Sequence, residues 1–170
     1  MRLFIAIRFP ESILNALTSF QEELSSCGLR GRFAPPENLH LTLAFIGEYG
    51  RPDEVADAIS SVPFEPFSLR LDGLGRFGDL YWAGLAENRP LSGYVRNLRH
   101  ALADRNIPFD RKRFSPHITL VRKAVFLGDG ALPDVRPPTG EAEIRRVSLM
   151  RSERGKHGRI YTEIGGVDGG

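Results

Sequence analysis

A chain of 170 residues with 23 lysines and arginines against 21 aspartates and glutamates has an ordinary globular composition and room for one substantial domain. The single cysteine, Cys27, excludes an intramolecular disulfide and most cysteine-based zinc sites, fits a reducing compartment, and reads as a packing thiol near a helix end. No apolar stretch approaches the roughly 20 residues that span a bilayer.

The chain opens on Leu3-Phe4-Ile5-Ala6-Ile7, a short apolar run broken by Arg8 and lacking a small-residue cleavage site, which reads as a strand over 2–9 rather than a signal peptide. Pro10 suits a helix start, and Ile13, Leu17, Phe20 and Leu24 recur at helical spacing through Ser26, with Gly28 ending the helix. Residues 28–38 read as a Gly/Pro loop, followed by a strand ending near Gly47. Pro52-Asp53-Glu54 starts a second helix, with acids in its first turn, and Pro63 stops it. Residues 67–75 and 79–86 form a hairpin around Gly78, and Leu91, Val95, Leu98 and Leu102 mark a third helix to about Arg105, which Asn106 caps. An extended segment at 107–111, a strand at 116–122 and a loop at 124–140 come next. A final hairpin pairs 144–150 with 159–164 around Arg154-Gly155-Lys156-His157-Gly158, and the glycine-rich tail, 166–170, is expected to fray.

Two strands carry the same polar pair. In Leu39-His40-Leu41-Thr42-Leu43 and in Pro116-His117-Ile118-Thr119-Leu120, His and Thr stand two residues apart between apolar neighbours. Side chains alternate across a strand, so a buried row of Leu39, Leu41, Leu43 and Phe45 leaves His40 and Thr42 on the open face, and Ile118 and Leu120 do the same for His117 and Thr119. The context repeats too: Arg32-Phe33 with Pro35 and Pro36 precedes the first copy, and Arg113-Phe114 with Pro116 the second. The copies lie 77 residues apart, near half the chain, which suggests a duplicated α+β architecture with pseudo-twofold symmetry and both motifs walling one central groove. Charge is unevenly placed. Residues 1–65 hold five basic and nine acidic side chains, whereas 95–123 hold eight and two, so an anion is expected near His117.

Two histidines facing across a groove suit phosphoryl chemistry, because near neutral pH one can accept a proton while the other donates. Threonine hydroxyls on the same face could hold nonbridging phosphoryl oxygens. A two-histidine metal site is the competing reading, but no further Cys, His or carboxylate stands at ligand spacing beside either motif. His100 and His157 read as solvated. Arg111, Lys112, Arg113, Arg122 and Lys123, with Arg151, Arg154, Lys156 and Arg159, form either ordinary charged surface or an RNA-facing rim. Phe33, Phe114, Tyr81 and Trp82 could stack on a base, although single aromatics in strands usually pack. Gly73 to Gly78 lacks the Lys-Ser/Thr and helix of a phosphate loop and reads as strand and turn.

The paired His-x-Thr-x motifs, the Arg2-Leu3-Phe4-Ile5-Ala6-Ile7 start and Arg159-Ile160-Tyr161 near the end together resemble the 2H phosphoesterase superfamily, and within it the RNA 2′,3′-cyclic phosphodiesterases historically called 2′-5′ RNA ligases. The resemblance covers nearly the whole chain. It implies a single two-lobed domain over 1–170 of duplicated antiparallel sheets, helices outside and a groove between. It implies His40 as general acid on the leaving 3′ oxygen and His117 as general base on water, Thr42 and Thr119 holding the phosphoryl group, and a 2′-phosphate product. Arg122 occupies the place of a substrate-contacting arginine, a role that strict alternation from His117 denies it unless the strand is bulged or ends there. No cofactor and no metal are implied, the reverse 2′-5′ joining of RNA ends is possible in principle, and the expected setting is a cytoplasmic monomer acting on RNA ends, away from membranes. Two alternatives stand: the same chemistry on 2′,5′-oligonucleotides or small nucleotide cyclic phosphates, and a noncatalytic nucleotide- or RNA-binding module.

Overall fold

A computed structural model describes the whole chain, Met1–Gly170. Thirteen elements run in the order β1 (Arg2–Arg8), α1 (Glu11–Ser26), β2 (Leu29–Phe33), a 3-10 turn (Pro36–Asn38), β3 (His40–Glu48), α2 (Pro52–Ser60), β4 (Phe67–Phe77), β5 (Leu80–Leu85), α3 (Arg89–Asp104), β6 (Ile118–Phe126), β7 (Glu141–Ile144), β8 (Arg146–Gly155) and β9 (Gly158–Asp168). They build an α+β fold with two antiparallel sheets, ordered β3-β1-β8-β9 and β2-β6-β5-β4-β7. Helix α1 packs against β2, β6 and β7 of the second sheet, while α2 and α3 pack together and reach β9 and β3 of the first.

The helices follow their apolar spacing. α1 buries Ile13, Leu17, Phe20 and Leu24, and α3 buries Leu91, Tyr94, Val95, Leu98 and Leu102. Gly28 ends α1 at φ 107°, a left-handed conformation that favours glycine, and Asn106 does the same after α3 at φ 56°. Strand β1 reads as a continuous apolar run because it is covered on both faces. Leu3, Ile5 and Ile7 enter the main core, and Phe4 and Ala6 join Met150 in a second cluster with Phe45 and Tyr161 packed on it.

Several expectations from the sequence are corrected. Residues 28–38 are not one loop, since Leu29–Phe33 pairs with β6. Alternating charge in Leu-Arg-Gly-Arg-Phe hides this strand, which only the pairing reveals. β6 runs on to Phe126, so the expected 124–140 loop starts later, and Glu141–Ile144 is a separate strand on β4. The 166–170 tail does not fray from Gly166, because β9 continues to Asp168, paired with Arg146. The sheets also do not divide along the sequence halves. β2 sits in the sheet of the second motif, and the C-terminal hairpin β8–β9 sits in the sheet of the first.

Phe45 is the correction that matters most for the site. The pairing of β1 with β3 matches Ala6 to Thr42 and Ile5 to Ala44, leaving Leu43 as an extra residue. At this bulge Leu43 and Ala44 both turn into the core, so Phe45 leaves the expected buried row and joins His40 and Thr42 on the opposite face.

Candidate active site

His40 is the first residue of β3, at the edge of the first sheet, and His117 immediately precedes β6 in the second; these two strands approach each other. Between them lies a cavity of about 350 Å³ walled by His40, Thr42, His117, Thr119 and Arg122, together with Arg2, Phe4, Phe45, Ser152, Arg159 and Tyr161. A larger cavity of about 1070 Å³ shares His40, Thr119, Arg122, Arg159 and Tyr161, and runs out between Arg32–Asn38 and the β8–β9 turn. All five residues singled out from the sequence therefore border one groove.

Arg122 reaches it through a second bulge. Trp82 pairs with Thr119 and Tyr81 with Val121, so Leu120 is an extra residue in β6, and Leu120 and Val121 are both buried. Alternation resumes one residue late, and Arg122 returns to the face of Thr119. The first motif behaves alike: Leu43 is extra after Thr42, as Leu120 is after Thr119.

Each bulge is held from a helix. Arg99 of α3 donates to the Leu43 carbonyl from Nη2 at 3.2 Å and to that of Lys112 from Nη1 at 2.7 Å. Gln21 of α1 donates from Nε2 to the carbonyls of Leu120 and Ala34, both at 2.9 Å, and is buried at 7% exposure, so no water replaces these bonds. The sequence assigned Arg99 only to a run of positive charge and gave Gln21 no role. Neither falls in a motif, and only their partners mark them.

The imidazoles are oriented in the same way. Nδ1 of His40 lies 2.7 Å from the carbonyl of Asn38, and Nδ1 of His117 lies 2.7 Å from that of Ser115. A carbonyl only accepts, so each Nδ1 carries a proton and each Nε2 is turned away from its supporting carbonyl, that of His40 toward the Thr42 hydroxyl. The Asn38 side chain donates to the Arg159 carbonyl at 3.0 Å and ties this support to β9. His40 lies between Phe4 and Tyr161, with ring centroids at 5.0 and 5.3 Å. Burial there holds its pKa below the ordinary 6.5; the bond to Asn38 opposes this, and the charges of Arg122 and His117 reinforce it. His117 stands beside Phe77 and Trp82, at 5.2 and 6.1 Å.

The charge around the groove is one-sided. Arg2, Arg32, Arg122, Arg154, Lys156 and Arg159 border the two cavities, with Glu37 as the single carboxylate. The run at 111–113 and Lys123, expected near the anion, border neither cavity; Arg111 instead lies over the Phe109 ring. Of the two basic groups weighed from the sequence, it is the one on the β8–β9 hairpin, Arg154, Lys156 and Arg159, that borders the groove beside His40. Of the aromatics weighed, Phe33 borders the larger cavity, Tyr81 is core, Phe114 packs against the core, and Trp82 stands beside His117. His100 and His157 are both exposed as expected, and His157 also borders the larger cavity. No three His, Cys, Asp or Glu side chains cluster anywhere in the chain.

A family model described as LigT like Phosphoesterase matches residues 7–81 and 84–161. The chain belongs to this family. Among its relatives, an RNA 2′,3′-cyclic phosphodiesterase of Archaeoglobus fulgidus is 31% identical over 96% of this chain and 98% of its own length. One of Thermus thermophilus is 33% identical over 96% of this chain and 88% of its own. The crystal structure of E. coli LigT complexed with 3′-AMP superposes with a TM-score of 0.84 and 26% identity, covering 99% of this chain and 97% of that one. TT0787 of Thermus thermophilus gives a TM-score of 0.79 at 31% identity, covering 99% and 97%. This LigT-like phosphoesterase thus has the 2H phosphoesterase fold that its motifs implied.

Proposed function

We propose that this LigT-like phosphoesterase hydrolyses 2′,3′-cyclic phosphate ends of RNA to 2′-phosphates without a metal ion. The observation that carries the proposal is that two imidazoles, each with Nδ1 committed to a backbone carbonyl, border one cationic cavity. His117 Nε2 takes a proton from water as the water oxygen attacks phosphorus. The P–O3′ bond breaks, and His40 Nε2–H delivers its proton to O3′, leaving a 2′-phosphate and a 3′-hydroxyl. The hydroxyls of Thr42 and Thr119 and the Arg122 guanidinium hold the nonbridging oxygens as charge builds on them. On their own, burial and Arg122 disfavour protonated His40; the phosphodiester anion offsets the Arg122 charge and returns the proton the acid needs. Joining a 5′-hydroxyl RNA end to the cyclic phosphate uses the same groups, with the hydroxyl in place of water.

The larger cavity opens from the His40 side, where the leaving sugar sits, and its cationic wall suits the preceding phosphates of a strand. This favours RNA over a cyclic mononucleotide. Product analysis with a cyclic-phosphate-ended RNA tests the proposal. The expected product is a 2′-phosphate, formed equally with EDTA present, and His40→Ala and His117→Ala each lower turnover at least about 10²-fold while still binding the RNA. A 3′-phosphate product, loss of activity with EDTA, or full activity in either variant overturns it.

A further inference from the structure

The two bulges are what turn a simple His-x-Thr strand into a site with a third functional position. Without the extra Leu120, Arg122 would alternate onto the buried face of β6, and without the extra Leu43, Phe45 would do so in β3. A bulge leaves the ladder locally broken, so it persists only where its backbone groups find other partners. The Leu120 carbonyl finds the Gln21 side chain and the Ala34 N–H, and the Leu43 carbonyl finds the Arg99 side chain.

We infer that Gln21 and Arg99 are positioning residues of the groove: by holding the carbonyls of Leu120 and Leu43, they keep Arg122 and Phe45 on the face of the two histidines. Gln21 binds both the bulge carbonyl and that of Ala34, and the Ala34 N–H donates to the same Leu120 carbonyl at 2.9 Å, so β6 and the chain leaving β2 are locked together beside Arg122. Both partners of the Gln21 amide are carbonyls, which fixes the nitrogen as the contacting atom. Arg99 has wider reach. It holds Leu43 in the first motif strand and Lys112, five residues before His117, so one guanidinium links β3 to the segment that leads into the second motif. A second bond, from the Asp110 N–H to the Phe45 carbonyl at 2.8 Å, supports the same junction. Partial burial lowers the pKa of Arg99, opposed by Asp110, in keeping with a guanidinium turned partly inward onto these carbonyls.

This inference rests on the proposed function only in giving the groove a phosphate to hold, so it is tested on affinity for inorganic phosphate, which needs no turnover. In a double-mutant cycle, Arg122→Ala weakens phosphate binding about tenfold, as expected for loss of a charge-assisted bond. Gln21→Met, similar in length and without donors, weakens it by a similar factor. The double variant binds within about twofold of Arg122→Ala alone, because an arginine already turned away has nothing left to lose. Additive losses, unchanged affinity in Gln21→Met, or unchanged affinity in Arg122→Ala each overturn the inference. If Gln21→Met does not fold, Arg99 carries the test on cyclic-phosphate RNA. Arg99→Met then lowers kcat at least about tenfold with KM nearly unchanged, and Arg99→Lys, which keeps a donor, recovers part of the loss. Equal kcat for wild type and Arg99→Met, or no recovery with lysine, rejects the assignment.

Discussion

The Thr42 hydroxyl lies 2.9 Å from His40 Nε2, while Thr119 makes no such bond to His117. The two motifs therefore match in sequence, bulge and Nδ1 support but differ at the reacting nitrogen. Thr42 here donates to a neutral His40, and this bond must open before that nitrogen can serve a phosphate. Thr42→Val and Thr119→Val are each expected to lower kcat/KM by about 10²-fold, the usual cost of one donor to developing charge. Only Thr42→Val should also move the His40 titration followed by NMR. Equal movement in both variants would contradict the asymmetry.

Acid stability follows from the burial of His40. Its pKa is held below 6.5 in the folded chain, so on acidification the unfolded chain takes up this proton first and is stabilised relative to the fold. Stability from this group is complete above pH 6.5 and is lost as pH falls from there toward the folded value. Thermal unfolding midpoints measured from about pH 7.5 down to about pH 5.5 should decline in wild type and decline less in His40→Gln. Arg122→Ala, which removes one of the charges opposing protonation, should raise the His40 pKa. An identical decline in wild type and His40→Gln would reject the account.

The β8–β9 turn should govern the length of RNA the groove prefers. Neutralising Arg154, Lys156 and Arg159 together is expected to raise KM for an oligonucleotide with a cyclic phosphate end and to leave KM for a cyclic mononucleotide nearly unchanged, apart from the share owed to Arg159, which also borders the smaller cavity. The dependence of log affinity on log salt should fall by about 0.7 for each phosphate left without its cation. A uniform loss on both substrates would place these cations in the phosphoryl site instead.

Gly75 is fixed by a close approach. A Cβ there would overlap Trp82 Cζ2, and Trp82 in turn lies 6.1 Å from the His117 ring. Gly75→Ala should cost about 1–3 kcal/mol of stability and displace the indole. Trp82 fluorescence and turnover should change together, and a variant with wild-type emission and activity would show that the indole does not support His117.

Much of the fold was legible in the sequence because its signals are local. The periodicity of Ile13 to Leu24 and of Leu91 to Leu102 yields helices with nearly the observed bounds, and the period-2 pattern around His40 and His117 gives the open face of each motif strand. The repeated polar pairs announced one shared site and the residue types that line it. Tertiary structure alone decided where the alternation breaks. A bulge is an offset between two strands, so Leu43 and Leu120 look like ordinary core residues until Ala6 and Thr42, or Trp82 and Thr119, are seen opposite each other. The same holds for Arg99 and Gln21, whose partners are backbone carbonyls that carry no sequence signature, and for the C-terminal hairpin, which brings its cations to the groove by pairing β8 with β1. Period within a strand records which face a side chain takes; register between strands, set by long-range pairing, decides which of those faces meet.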